Sequence, residues 1–347
     1  MEAVYDQRDF LTQLNSASSV TELVFDAVGN LKEETDPNKN PTTKHDYDAL
    51  DRLLKTTDRL AGLTEYDYDV NDNLTKVKAP NHATTTYDYD DLGNQLKEIS
   101  PDRGTILYTY DEAGNVKTKT DARNITATYS YDALGRLTTL DLPGTEEDVS
   151  FSYDGCPQGI GRLCQITDQS GTTNYIYDSF GNIKQQTKTE LGHSYTTQYT
   201  YDAADRITTI TYPDGRVVTY IRDSIGRTTR INTTINGTDT LLTRNIQYRA
   251  DGLITGQTWG NGLNETRQYD QQGRLTNQTL GNVDTRTYEY DANGNLLTKT
   301  RDAKTDSYGY DKLDRLTLDN LIAFTYDPIG NRLTKKVEQA VEAYQYL

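Results

Sequence analysis

Aliphatic side chains are scarce in this sequence: only 34% of its 347 residues are hydrophobic, and a single Met and a single Trp stand beside 27 Tyr. A thick, dry core is excluded on that ground. The apolar surface has to come largely from phenol rings, which bury a wide ring yet keep a hydroxyl that needs a hydrogen bond or water. No apolar run approaches the ~20 residues that span a bilayer, and no signal-peptide h-region follows Met1. Basic residues are also short, with 36 Lys and Arg against 52 Asp and Glu and a net charge of −16. Nucleic acid is excluded as a partner, because phosphate binding needs clustered cations, and the acidity reads first as solubility. The three histidines, His45, His82 and His193, share no metal-ligand spacing. Gly159-Ile160-Gly161 is followed by no phosphate-binding Lys. No catalytic residue, cofactor or metal is expected.

What is present is a period. An aromatic residue followed by Asp recurs at Tyr5, Phe25, Tyr47, Tyr68, Tyr89, Tyr110, Tyr131, Tyr153, Tyr177, Tyr201, Tyr269, Tyr290, Tyr310 and Tyr326. Degenerate copies at Arg222-Asp223 and Tyr248-Arg249 fill the gap, and the usual step is 21 residues. About sixteen units account for the whole chain, so residues 1–347 read as one array and as part of a larger protein. A second aromatic two residues earlier, as in Tyr66/Tyr68, Tyr129/Tyr131, Tyr175/Tyr177 and Tyr199/Tyr201, gives the period of a strand.

The Asp then opens Asp-x-x-Gly, seen whole at Asp26–Gly29, Asp90–Gly93, Asp111–Gly114, Asp132–Gly135, Asp178–Gly181, Asp270–Gly273 and Asp291–Gly294, and in the unit at Tyr68 the same place opens with Asp69. Asp at the first position accepts local backbone N–H groups and Gly at the fourth supplies positive φ, which together predict a hairpin turn. An aliphatic residue such as Leu31, Val116, Leu137 or Ile183 starts the return strand. Leu96 and Leu333 come one residue late, which predicts an added bulge in those two units. Ser100-Pro101-Asp102-Arg103 and Tyr212-Pro213-Asp214-Gly215 mark turns at the other end of the hairpin. The prediction is all-β: some thirty strands in tandem hairpins, forming a long sheet that has to coil or close because sheets twist, with a β-propeller as the rival geometry that the 21-residue step disfavours.

These units resemble the YD repeats of the Rhs family, and the resemblance extends over nearly the whole chain. It implies a spiral, cocoon-like β-solenoid shell, as in bacterial Rhs toxins, toxin-complex shell components, wall-associated proteins and teneurins. The structural role would fall on Tyr68, Tyr89, Tyr110, Tyr131, Tyr177, Tyr269 and Tyr290, each with its following Asp, and on Gly93, Gly114, Gly135, Gly181, Gly273 and Gly294. The implied partners are a toxin or effector cargo, or further shell repeats of the parent protein, in a bacterial secreted or cell-surface setting. The family's C-terminal boundary is not visible, since Asp327-Pro328-Ile329-Gly330 runs on as a repeat.

Three further expectations concern side chains. Asp46, Asp67 and Asp88 recur in consecutive units and would form a like-charge ladder if the units stack in register, solvated or bridged by Ca²⁺. Cys156 and Cys164 flank one enlarged turn, where they either close a disulfide in an oxidising compartment or remain two free thiols. The alternative to a shell is an extracellular glycan- or surface-binding adhesin, in which exposed Tyr rows and Trp259 stack on sugar faces.

Overall fold

The computed structural model describes residues 2–16, 19–144, 147–338 and 340–345. They hold 33 strands, from Glu2–Tyr5 to Ala340–Ala343, and among the described residues there is no helix. The strands belong to one sheet, and successive strands pair antiparallel in a meander. Compactness divides the chain into two units, Met1–Gly104 with Thr266–Leu347, and Thr105–Glu265. Both are built from the same hairpins.

Each signature hairpin carries the same defect. In the hairpin of Thr126–Tyr131 and Leu137–Asp141, Ser130 faces Thr139 and Tyr131 faces Leu137, so Thr138 is bulged out of the ladder. The turn explains this: Gly135 N–H donates to the Asp132 carbonyl at 3.0 Å, Asp132 N–H donates to the Arg136 carbonyl at 3.0 Å, and Gly135 sits at φ 74°. A type I turn closed by a left-handed residue leaves one extra residue on the return strand. That residue is often Thr, whose hydroxyl recovers a bond to the facing strand, as from Thr138 to Ser130 at 3.1 Å and from Thr75 to Asp67 at 3.2 Å.

The expected added bulges at Leu96 and Leu333 are not there. Gln95 faces Tyr89 and Arg332 faces Tyr326, in the places that Leu137 and Val116 hold elsewhere, with the ordinary single bulge following. Those units substitute the first return residue rather than insert one.

Among the described residues no large side chain is fully buried, and the buried hydrophobic residues are Ile106, Ala127, Cys164 and Ile246. Ile106, Ala127 and Ile246 share strand parity with the signature tyrosines, as do the buried polar Glu98, Ser100 and Glu265. The tyrosine face is therefore the covered one. The opposite face is polar, with Thr–Thr hydroxyl contacts such as Thr109–Thr118 at 2.6 Å and Thr325–Thr334 at 2.7 Å.

The like-charge ladder is also replaced. Asp46, Asp67 and Asp88 face Lys55, Lys76 and Lys97 across their own hairpins, and Lys55 next faces Glu65. Lys76 Nζ lies 3.0 Å from Asp67 and Lys78 Nζ lies 2.8 Å from Glu65. A hairpin repeat sets a return strand between like positions of adjacent units, and here that strand carries the opposite charge. Opposed charges across strands stabilise where repeated carboxylates would repel.

Candidate functional site

The chemistry of this chain is concentrated in a staple that ties each hairpin to the next, and it begins with the turn aspartate. Asp48 Oδ1 accepts the N–H groups of Leu50 at 2.8 Å and Arg52 at 3.0 Å, while Oδ2 accepts Arg52 Nε at 2.7 Å. Asp111 does the same with Ala113, Asn115 and the Asn115 amide. The donor four residues on is Asn or Arg in most of these turns, since either one reaches back to the carboxylate, while at Asp6 that place is Phe10 and Arg8 makes the bond instead. The bonds hold these carboxyls below the usual range. For Asp48 and Asp132 the main cause is the backbone N–H of Arg52 and Arg136; for Asp90 and Asp111 it is the side-chain amide of Asn94 and Asn115.

The sign follows directly. As pH falls, the unfolded chain takes up protons on these groups before the native one does, so their stabilisation is present above the ordinary carboxylate range and is lost below it. Denaturant midpoints are expected to be flat above about pH 5 and to fall steeply between about pH 4 and pH 2. Circular dichroism midpoints across that range are the check, and a flat profile down to pH 2 would contradict the assignment.

The second element is the signature phenol. Its hydroxyl donates to the carbonyl of the residue that opens the return strand of the preceding hairpin: Tyr47 to Leu31, Tyr68 to Leu53, Tyr131 to Val116, Tyr153 to Leu137, Tyr177 to Leu163 and Tyr201 to Ile183. Tyr248, Tyr290, Tyr310 and Tyr326 repeat the bond with Thr228, Leu275, Leu296 and Leu316. The accepting residue sits at the edge of the bulge, where the ladder is interrupted. A phenol has both the reach and the donor. Burial pushes the phenols of Tyr47, Tyr177 and Tyr201 up, with nearby Asp26, Tyr175 and Tyr199 adding to it.

The degenerate unit supports this account. Arg222, standing where Tyr belongs, sends Nη2 to the Ile207 carbonyl at 2.7 Å, the same bond by other means. Its Nε is buried without a partner. Arg222→Tyr is therefore expected to stabilise the protein by about 1 kcal/mol, since the orphaned donor disappears and the staple remains. A urea titration of the variant beside the parent protein reads this, and a destabilised variant would contradict it.

The third element joins the turns themselves. The guanidinium of one unit lies over the signature ring of the next, as Arg52 over Tyr68 at 4.9 Å, Arg136 over Tyr153 at 4.4 Å and Arg274 over Tyr290 at 5.0 Å. Where Asp replaces the turn Gly, its carboxylate accepts from the preceding unit: Asp51 from Asn30, Asp72 from Arg52, Asp205 from Asn182 and Asp314 from Asn295. These Asp residues also take the left-handed conformation, Asp51 at φ 61° and Asp72 at φ 67°. Asp tolerates that region better than most residues.

One contact within the first unit joins distant segments. The turn after Tyr290 meets the turn at Asp36: Asn38 Nδ2 donates to Asp291 at 2.8 Å, Ala292 N–H donates to Asn38 at 3.0 Å, and Asn293 Nδ2 donates to Asp36 at 2.9 Å. Arg59 lies between Asp36 and Asp314 and bonds both. Asp36 is 8% exposed. Nothing local in the sequence signals this clamp, because its partners are 253 to 257 residues apart.

Cys156 and Cys164 are joined, with Cα atoms 5.4 Å apart, in the one enlarged turn. Gly159 packs against both sulfurs, and a Cβ there would lie 2.3 Å from one and 2.5 Å from the other. Gly159→Ala is expected to prevent closure of the bridge and to cost about 2 kcal/mol for so short a loop. Intact mass after alkylation, with and without reduction, measures the fraction bridged. Equal bridging in both proteins would overturn the role given to Gly159.

Among the described residues, no group of three or more His, Cys, Asp or Glu is placed to hold a metal ion. His45 Nδ1 lies 3.2 Å from Thr56 Oγ1, His82 occupies a turn at φ 66°, and His193 begins another strand. Trp259, needed as a free platform for stacking on a sugar, directs its indole N–H to the buried Glu265 at 2.9 Å. The turn at Asp327 forms the same bonds as the others, with Asn331 Nδ2 on Asp327 at 2.9 Å.

A sheet of tandem hairpins, each hung on its neighbour by Tyr, Asp and Asn or Arg, defines a YD-repeat shell scaffold. Residues 5–169 and 218–346 match the family model described as Teneurin YD-shell, and residues 187–217 match the one described as RHS Repeat. The chain belongs to the Teneurin YD-shell family. No curated protein matches it. Its fold is that of the TcdB2-TccC3 crystal structure, with a TM-score of 0.81 and 17% identity over 98% of this chain and 24% of that one. A Photorhabdus luminescens Tc holotoxin pore superposes with a TM-score of 0.76 and 18% identity over 91% of this chain and 21% of that one. The chain thus spans about a quarter of the structures it matches. Family and fold assign it a structural role, and among the described residues no helix is long and apolar enough to cross a membrane.

Proposed function

We propose that this chain is a stretch of the wall of a hollow shell that encloses or presents a toxin or effector domain, in a bacterial secreted or contact-delivered system. The observation that carries the reading is the staple, which gives a one-layer sheet stiffness without a core. A container wall needs one face turned to solvent and one turned to its contents, and here the two faces differ throughout: charged and Thr-rich on one, tyrosine-lined and half-buried on the other. The likeness to TcdB2-TccC3 supports it. On this reading residues 1–347 are one array continuous with further repeats of a parent protein, and the Cys156–Cys164 bridge suits an oxidising exterior.

Small-angle X-ray scattering on the monodisperse protein tests it. A distance distribution of shell type, wider than that of a solid ~39 kDa globule, is the expected result. A compact or rod-like profile would overturn the container.

A further inference from the structure

One turn within Thr105–Glu265 is braced differently from its neighbours. At Asp132 the carboxylate accepts the N–H groups of Leu134 and Arg136 and the Arg136 Nε, so the turn holds itself. The turn at Asp154 closes on Arg162 through the same backbone bond, at 3.1 Å, after a longer loop. Its carboxylate receives Arg136 of the preceding hairpin at 3.1 and 2.6 Å and, from its own loop, the Gly161 N–H at 2.6 Å. The brace inside the loop is the Cys156–Cys164 bridge.

That loop is also the joint to the next hairpin. Tyr177 N–H donates to the Pro157 carbonyl at 3.3 Å, and the Tyr177 hydroxyl donates to the Leu163 carbonyl at 2.6 Å. Arg162 lies over the Tyr177 ring at 5.6 Å, and the loop itself aims it, since Nη1 donates to the Gln158 and Ile160 carbonyls at 3.2 Å each. In the preceding hairpin a carboxylate aims the guanidinium, as Asp132 does Arg136 over Tyr153. A bond between sulfurs therefore fixes here what an ion pair fixes there.

The bridge is within reach of a small thiol. An open cavity of about 380 Å³ is lined by both cysteines together with Tyr153, Pro157 and Ile176. Cys156 is half-buried between exposed Gly155 and Pro157, whereas Cys164 is 6% exposed. The Cys156 N–H donates to Cys164 Sγ at 3.0 Å. A hydrogen bond of this kind stabilises a departing thiolate, and exchange is faster when the leaving thiolate is stabilised. Access and leaving group point the same way: a thiol enters at Cys156 and Cys164 leaves.

We propose that Cys156–Cys164 is a thiol-exchange site through which a small thiol reductant loosens the joint between the Tyr153 and Tyr177 hairpins and leaves the rest of the array stapled. The reductant's thiolate bonds to Cys156 Sγ, and the electron pair of the broken S–S bond goes to Cys164, which takes a proton. A second thiol of the reductant then displaces Cys156, which takes a proton in turn. The cysteines end as two thiols and the reductant as its disulfide. An oxidising exterior keeps the joint closed and a reducing compartment opens it. The inference concerns this joint alone and does not depend on the chain enclosing a cargo.

The sequence holds two cysteines, so a thiol reductant acts on this bridge alone. The test is dithiothreitol on the native protein, followed by iodoacetamide and intact mass, with hydrogen exchange on the oxidised and reduced forms. Both cysteines are expected to alkylate without denaturant. In the reduced protein, amides of 155–164 and 177–182 are expected to exchange at least about tenfold faster, with those of 217–235 unchanged. A bridge that opens only in denaturant overturns the proposal. So does protection that is unchanged at 177–182, or lost equally at 217–235, which would make the bridge a support of the whole fold. The variant Cys156→Ser/Cys164→Ser is expected to exchange as the reduced protein does and to ignore dithiothreitol; a variant as protected at 177–182 as the oxidised protein overturns the proposal too.

Discussion

Arg59→Ala is expected to cost about 3 kcal/mol in the first unit, the largest effect of any single substitution considered, because it leaves two carboxylates facing each other with little water. The Arg59 side chain is 18% exposed, and those of its partners Asp36 and Asp314 are 11% and 28% exposed. Burial works against the charge of Asp36, yet hydrogen bonds from Asn40 and Asn293, followed by the attraction of Arg59, keep its carboxyl below the usual range. Without the guanidinium the remaining amides have to hold both charges, and the two carboxyls are expected to protonate at a higher pH than in the parent protein. Hydrogen exchange gives the decisive readout. Amides around both 36–62 and 291–315 should lose protection together, although more than two hundred residues separate them in sequence. Loss confined to the neighbourhood of residue 59 would mean that the clamp does not couple the segments. Adding Asp314→Asn to the variant should recover part of the loss by removing one of the two charges.

The second large effect concerns the phenols of the other unit. Changing Tyr131, Tyr153, Tyr177 and Tyr201 together to Phe is expected to cost about 4–12 kcal/mol. Each hydroxyl removed leaves a half-buried carbonyl without its donor at about 1–3 kcal/mol, and the sites add if they act independently. The rings stay, so packing is nearly unchanged and the loss belongs to the hydrogen bonds, which measure 2.9, 2.9, 2.6 and 2.8 Å. The control lies two residues away. The hydroxyls of Tyr129, Tyr175 and Tyr199 have no hydrogen-bond partner among the described residues, and the same change at those three is expected to alter stability by less than about 0.5 kcal/mol each. Repeat arrays unfold in segments, so the comparison should use exchange protection of Thr105–Glu265 rather than one global midpoint. Equal losses in the two sets would show that the signature tyrosines act by packing alone.

That contrast also shows how far the sequence can be read. Tyr129 and Tyr131 have the same chemistry and strand parity, and the repeat signature marks the second only because Asp132 follows it. The alternation that made both strands, and the Asp-x-x-Gly that made the turn, are local: backbone conformations two to five residues apart decide them, and the sequence states them openly. Composition likewise announced a sheet without a thick core, since a chain with so few aliphatic residues has little else to bury than Tyr.

What lay one repeat away was legible only in part. The Asn or Arg after the turn Gly was visible as a pattern, but its two tasks, closing its own turn and reaching the next unit, depend on how hairpins sit side by side. The same holds for Asp46, Asp67 and Asp88, where equal spacing suggested like charges in contact and the intervening return strand brought Lys55, Lys76 and Lys97 between them. Leu96 and Leu333 misled for a related reason: an aliphatic residue out of step looked like an insertion, while the turn hydrogen bonds fix the position and accept Gln95 or Arg332 there.

The sequence by itself determined the strand, the turn, the repeat and the polar character of one face, because each follows from periodicity and from the reach of side chains within about five residues. Only the tertiary structure decided where the phenol hydroxyls point, which charges meet, and that Asp36, Arg59 and Asp314 share one site. Those outcomes depend on the twist accumulated over many strands, a sum of small rotations that no single residue encodes.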